Sequence, residues 1–401
     1  MIARGVILAC VCVAGVACGG NGNATDACVR PLPRTVRGLS AGERYSLAVL
    51  ENGDALFWGE VLSYVGGDGK PRQMHVLPLP VDTGCRRTVE VAAGWSHACV
   101  RTDNGEVRCW GRNDAGQLGI TGSTTAQLQP ATAASLGPGR TAVALAAGYQ
   151  HTCARLDNGQ LRCFGRGVLD GQDGNQLIAF GEGRTVTAMG AGDTHTCAVL
   201  DNGQLRCWGT NEEGELGLGD QTARLRPDQA VDVGPGRTAV EIAAGYHFTC
   251  ARLDDGAVKC WGVNREGQLG LGDTSPRLSP TSAVALGDGR KAVEIVAGFA
   301  FACARLDDGA VKCWGDNATG QLGLGDSEGR TSPTSAVDLG TGVKAVEIAA
   351  GLIHVCARQD SGIVKCWGDN DGRQLGILDP LSRGGRPGEL GDNLPAVPIG
   401  N

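Results

Sequence analysis

Ala243-Ala244-Gly245-Tyr246-His247-Phe248-Thr249-Cys250-Ala251-Arg252-Leu253-Asp254-Asp255-Gly256-Ala257-Val258-Lys259-Cys260-Trp261-Gly262 is one of seven versions of a single pattern in this chain. Its leading glycine recurs at Gly42, Gly94, Gly148, Gly192, Gly245, Gly298 and Gly351, at steps of 52, 54, 44, 53, 53 and 53 residues. A period of this length marks a propeller or solenoid array rather than one large core, because each unit is too small to bury a core alone.

Within a unit, Val240–Ala243, Phe248–Leu253 and Ala257–Trp261 read as strands. Twelve of the 17 cysteines form six pairs ten residues apart: Cys99/Cys109, Cys153/Cys163, Cys197/Cys207, Cys250/Cys260, Cys303/Cys313 and Cys356/Cys366. Each pair brackets a turn such as Asp254-Asp255-Gly256. Three-residue hairpin loops of this kind use a type I turn followed by a left-handed glycine. Counting outward from that loop sets Cys250 directly opposite Cys260, on a non-hydrogen-bonded pair where side chains approach closely. Cross-strand disulfides are therefore expected, each adding at most about 3 kcal/mol because its loop is short. The first repeat carries Leu47 and Phe57 at these positions, so both sulfurs are lost together. Cys28 and Cys85 remain as a possible further pair. No zinc spacing occurs.

A connection follows the third strand: Asn264-Arg265-Glu266-Gly267-Gln268-Leu269-Gly270-Leu271-Gly272-Asp273. The Trp-Gly, Asn and Gly-Gln-Leu-Gly signature (Trp314, Gly315, Asn317, Gly320 to Gly323) and the Ala-Gly-x-x-His run (Ala147-Gly148 to His151) resemble the regulator of chromosome condensation repeat family. The resemblance spans residues 34–401. It implies an all-β, seven-bladed β-propeller of four-stranded antiparallel blades. The 34 residues after Trp367 and the 24 steps from Arg34 to Trp58 together approximate one blade. The expectation is that N- and C-terminal strands share that blade, leaving no open edge. Two connections depart from the pattern, Glu60 to Cys85 and Gly165 to Gly190, the latter with a degenerate Gly174-Asn175-Gln176-Leu177.

Residues 1–17 read as a secretory signal, with Arg4 followed by an apolar run too short to span a bilayer. Gly15-Val16-Ala17-Cys18 resembles a bacterial lipoprotein signal, which makes Cys18 the acylated residue and 18–33 a lipidated tether. Export to the outer membrane or cell surface follows, with periplasm or medium as the alternative. The oxidised cysteines agree with that compartment.

The formal net charge of −7 argues against nucleic acid as a partner. His97, His151, His195 and His354 share one repeat position with Tyr45, Phe248 and Phe301, which marks a packing position rather than a catalytic one. The Gly-Leu-Gly-Asp runs ending at Asp220, Asp273 and Asp326 lack the alternating carboxylates of a calcium loop and read as turns. No metal, cofactor or catalytic residue is expected, although a propeller hydrolase or lyase built around His75 is the enzymatic alternative.

Of the 17 aromatic residues, seven occupy the Trp-Gly slot and seven more fall within three residues of the repeat glycine. Directly after that glycine come Glu43, Trp95, Tyr149, Asp193, Tyr246, Phe299 and Leu352. Seven-fold repetition places them on one annulus. Variable aromatics mixed with acids suit a binding face for a protein or glycan; packing around the axis is the competing reading. Trp95, Tyr149, Asp193, Tyr246, Phe299 and Leu352 are the candidate partner-binding residues of a monomer attached to membrane only through its lipid. Within the resembled family some members are nucleotide exchange factors for a small nuclear GTPase, and a secreted bacterial member inhibits β-lactamase; neither activity transfers residue by residue here. A purely architectural role in a surface coat is the alternative to a binding module.

Overall fold

The structure, a computed structural model, describes residues 35–60, 75–169 and 172–399. The expected leader and tether, residues 1–33, lie outside them, as do Cys18 and Cys28. Cys85 is in a disulfide.

The described residues form seven antiparallel sheets in chain order, three with four strands and four with three. The pattern quoted above becomes Ala239–Ala244, Phe248–Leu253 and Val258–Gly262. In the three-stranded sheets the fourth strand shrinks to a short contact, such as Val284 N–H to the Val258 carbonyl at 2.8 Å. The hairpin turn is the expected one: Gly256 N–H bonds the Leu253 carbonyl at 2.9 Å, with Gly256 at φ 85°. Cys250 therefore faces Cys260 across the ladder.

All six expected disulfides are formed. Cys99 bonds Cys109, Cys153 bonds Cys163, Cys197 bonds Cys207, Cys250 bonds Cys260, Cys303 bonds Cys313 and Cys356 bonds Cys366, with Cα–Cα distances of 4.0–4.1 Å. Each bridge also sits in the core between blades. Cys109 shares a buried cluster with Phe164 of the next blade, and Cys163 with Trp208. Cys207 does so with Trp261, Cys313 with Trp367 and Cys366 with Trp58. Alternation along the third strand explains this, because a residue two positions from one inward-facing residue is itself inward-facing. Val107 and Cys109, for example, are both fully buried.

Blades are joined by the signature residues. Asn264 Oδ1 accepts the Leu269 N–H at 3.0 Å, which folds the Gly-Gln-Leu-Gly loop back on itself. The loop then accepts the indole N–H of the following blade: Trp314 to the Gln268 carbonyl at 2.9 Å and Trp367 to the Gln321 carbonyl at 3.1 Å. A glutamate in each of four inner strands pairs with an arginine in its own blade and accepts a backbone N–H from the next blade, as Glu90 does from Arg101 and Leu145. The aspartates that raised the question of calcium are held in the same turns. Asp273 pairs with Arg277 at 2.6 Å and accepts the Ser275 N–H at 2.8 Å.

Closure differs from the expectation. No blade is shared between the termini among the described residues. His75–Pro80 already fills the outer edge of the first blade, with Phe57 opposite Leu79. The C-terminal Ala396 pairs instead with Lys365 of the last blade. Each blade is contiguous in sequence, and the ring closes through the ordinary inter-blade contacts. Leu39 N–H donates to Glu347 Oε1 at 2.9 Å, and Trp58 donates to the Gln374 carbonyl at 2.9 Å. A shared sheet is unnecessary because these repeat contacts are already complete. The short third connection also differs: Asn175 to Leu177 form strand, not loop, within Gln172–Ile178 paired to Leu161–Leu169.

Candidate functional site

The inner strand of each blade turns into the second strand at the repeat glycine. A Cβ on Gly245 would lie 2.1 Å from Phe248 Cε1 and 2.6 Å from the Gly298 carbonyl. The other six glycines stand in the same relation to the next blade, ending with Gly351 against the Gly42 carbonyl. Only glycine allows this approach, so the seven turns form a closed ring around the axis. Backbone bonds lock it, including Trp95 N–H to the Gly148 carbonyl at 3.2 Å and Leu352 N–H to the Gly42 carbonyl at 3.1 Å.

The residue after each glycine is thereby held over the hub. Trp95 and Tyr149 have ring centroids 4.6 Å apart. Tyr246 stacks on Phe299 at 4.4 Å, and Trp95 reaches Tyr246 at 6.0 Å and Phe299 at 6.1 Å. These four make one aromatic plate. Trp95, Tyr149 and Phe299 are half-buried, while Tyr246 is 36% exposed. Leu352 is also half-buried and lines, with Trp95, a small Ala- and Gly-walled cavity beneath the plate. The rings pack on one another, as the packing reading of the annulus expects, and still leave one side partly exposed.

Asp193 is not on that face. It is 4% exposed, with Oδ1 3.6 Å from His195 Nδ1 and Oδ2 3.4 Å from His247 Nε2. His247 in turn bonds Glu215 Oε1 through Nδ1 at 3.1 Å. Glu215 is fully buried and also accepts from Thr210 at 2.9 Å. Burial works to raise Glu215, but the His247 bond, the nearby His195 and backbone N–H groups hold it at about 2. Burial likewise opposes ionisation of Asp193, and His195 and His247 outweigh it, so its carboxyl lies below the ordinary value. His247 is raised, chiefly by its bond to Glu215. Its backbone sits at φ 54°. Neither Glu215 nor His247 was among the sequence-predicted site residues, although His247 lies one residue before the repeat position that holds histidine elsewhere. The signal was present: Glu215 stands where the full signature has Gln117, Gln268, Gln321 and Gln374.

The four repeat histidines lie inside the blade interfaces. His97 Nε2 meets Thr152 Oγ1 at 2.7 Å, His151 meets Thr196 at 2.9 Å, His195 meets Thr249 at 2.8 Å and His354 meets Ser46 at 2.8 Å. Burial lowers His97 to about 3, His151 to about 4 and His354 to about 3. His97, His151 and His354 are therefore neutral packing groups. His75 lies in an outer strand opposite Gly59.

Because successive strands reverse direction, the hub turns and the connections after the third strands lie on the same side. There a pocket of about 710 Å³ opens between the first two blades, lined by Glu43, Arg44, Glu60, Trp95, Arg112 and Tyr149 among others. Arg44 Nε lies 3.5 Å from Glu60, and Arg112 lies 2.7 Å from Asp114. Burial raises Glu43 above the usual carboxylate value, against the pull of Arg44.

The RCC1-like domain model matches residues 11–339. The chain belongs to the RCC1-like domain family. This RCC1-like chain is 31% identical over 375 residues to the ultraviolet-B receptor UVR8 of Arabidopsis thaliana, covering 91% of this chain and 73% of the receptor. It is 31% identical over 345 residues to the E3 ubiquitin-protein ligase HERC2 of Mus musculus, covering 84% of this chain but 6% of the ligase. Among solved structures, Prp20p from Saccharomyces cerevisiae, whose binding to Gsp1p and histones is described with it, superposes with a TM-score of 0.67 at 19% identity, covering 94% of this chain and 89% of that one. At that identity the likeness speaks for the propeller fold alone.

Proposed function

We propose that this RCC1-like chain is a non-enzymatic binding module of the cell envelope that docks a protein or glycan partner on its hub face. The observation that carries the reading is the plate of Trp95, Tyr149, Tyr246 and Phe299, half-exposed on a ring of close-packed glycine turns and bordered by a pocket. Rigid aromatic anchors beside polar groups are what binding hot spots require. Asp193 acts from beneath, as a buried group that fixes the turn bearing His247, rather than as a contact. The leader-like residues 1–17 and Cys18 favour export with a lipid anchor, and six disulfides favour an oxidising compartment. A nucleotide exchange activity like that known in the family lacks support in a disulfide-bearing chain of this kind.

The test is capture from periplasm and medium with the purified protein. One partner should be recovered, and Trp95→Ala combined with Tyr246→Ala should lose it. Self-association without a partner would favour the architectural alternative. Catalytic turnover abolished by His75→Ala would favour the enzymatic one.

A further inference from the structure

We infer that the pocket between the first and second blades receives a basic side chain of a protein partner, stacked on Trp95 and paired with Glu43. The inference rests on the hub-face reading and names the chemistry it selects. The pocket's volume of about 710 Å³ falls in the usual range for ligand sites, with ample room for one long side chain. Its charges are unevenly settled. Arg44 already has Glu60 at 3.5 Å, and Arg112 has Asp114 at 2.7 Å. Glu43 makes no side-chain hydrogen bond or ion pair among the described residues, although it is half-buried. Arg44 and Arg112 lie near Glu43 but bond other acids, and a half-buried carboxylate without a bonded cation is costly until one arrives.

Trp95 supplies the second half of the site. Glu43 N–H bonds the Trp95 carbonyl at 3.2 Å, so the carboxyl-bearing turn and the indole-bearing turn are tied by backbone. Tyr149 braces the indole at a centroid distance of 4.6 Å. A tryptophan face attracts guanidinium and ammonium groups, and more strongly where water is partly excluded. A planar guanidinium also matches a carboxylate with two parallel hydrogen bonds. Indole plus unpaired carboxylate therefore selects arginine first and lysine second. The chain's formal net charge of −7 draws basic surfaces toward it. A neutral sugar would use the indole but leave Glu43 unneutralised.

The experiment is calorimetric titration of the full protein with an acetylated, amidated hexapeptide carrying one arginine, and with its citrulline twin. Citrulline keeps the shape and removes the charge. The arginine peptide should bind saturably. Citrulline and Glu43→Gln should each weaken it by about tenfold, the scale of one charge-assisted contact, and Trp95→Ala should abolish it. Glu43→Gln should not lower the thermal midpoint, which separates lost binding from lost fold. Equal binding of both peptides, indifference to Glu43→Gln, or a neutral oligosaccharide binding where the arginine peptide does not would overturn the inference. A captured partner that is lost with Trp95→Ala but kept with Glu43→Gln would also overturn it while leaving the hub-face reading intact.

Discussion

Nε2 of His97 in the second blade lies 2.7 Å from Oγ1 of Thr152 in the third. The relation holds around the whole ring. Wherever a blade carries histidine at this position, the next carries a hydroxyl: His97 with Thr152, His151 with Thr196, His195 with Thr249, His354 with Ser46. Where the ring is Tyr45, Phe248 or Phe301, the next blade has Ala98, Ala302 or Val355 at the equivalent place. The histidine interfaces are matched as polar side-chain pairs and the Phe248 and Phe301 interfaces as apolar ones, while the Tyr45 hydroxyl donates to the Gly94 carbonyl of the next blade at 2.8 Å. Removing one polar partner strands the other in a dry interior at about 1–3 kcal/mol. Thr152→Ala and His97→Phe should each destabilise the fold by that order. The double variant copies the Phe248/Ala302 interface and should be less destabilised than the two singles added together. Chemical denaturation of all four proteins measures the coupling.

Three of these histidines, His97, His151 and His354, set an acid limit. Their folded-state values lie at about 3 to 4, below the unfolded value near 6.5. The unfolded chain thus binds protons that the folded one refuses. Stability from these groups is complete above about pH 6.5 and falls as pH drops, by about 1.4 kcal/mol per pH unit for each histidine. Denaturation midpoints at pH 7 and pH 5 should show the loss. His97→Phe/Thr152→Ala should show a shallower dependence.

The cluster beneath the plate has the opposite sign at its alkaline side. His247 is raised, so its contribution is full below about pH 6.5 and is lost as pH rises through the raised value. Glu215, at about 2, contributes fully above about pH 4.5 and loses that contribution toward pH 2. The His247–Glu215 bond is therefore strongest between those limits. Glu215→Gln restores the residue of the other repeats and should lower the His247 value. Ring-proton NMR titration of His247 reads this directly; an unchanged value would show that Glu215 does not set it.

Disulfides in this fold reinforce hairpins already formed by register. The first blade shows the alternative, with Leu47 opposite Phe57 where others have paired sulfurs. Cys250→Leu with Cys260→Phe should fold and lose at most about 3 kcal/mol. Cys250→Ser alone should lose more, since it leaves an unpaired hydroxyl and thiol in the core. Guanidinium denaturation of both variants compares them.

The period, the hairpin turns and the cysteine register were legible because they rest on local chemistry: a left-handed glycine fixes the loop, and the loop fixes which residues face each other. The glycine ring was legible in the same way. Closure was not, because counting residues left over at the two ends does not reveal that His75–Pro80 fills the first blade's edge while Ala396 pairs with Lys365. The burial of Asp193 was also hidden. It occupies the same slot as Trp95, and its buried partners are His195 and His247, the latter supplied 54 residues later and held in turn by Glu215 from the intervening connection. Side-chain direction there depends on partners brought together only by the ring. The packing of Cys109 against the blade of Phe164 was out of reach for the same reason.

Hydroxyl-radical footprinting of the purified protein, free and with its captured partner, tests the hub-face account most directly. Trp95, Tyr149, Tyr246 and Phe299 should be modified in the free protein and protected in the complex, while Trp58, Trp208 and Trp261 stay unmodified in both. Trp95 and Tyr246 as unreactive as Trp261 in the free protein, or equally reactive with and without the partner, would contradict it.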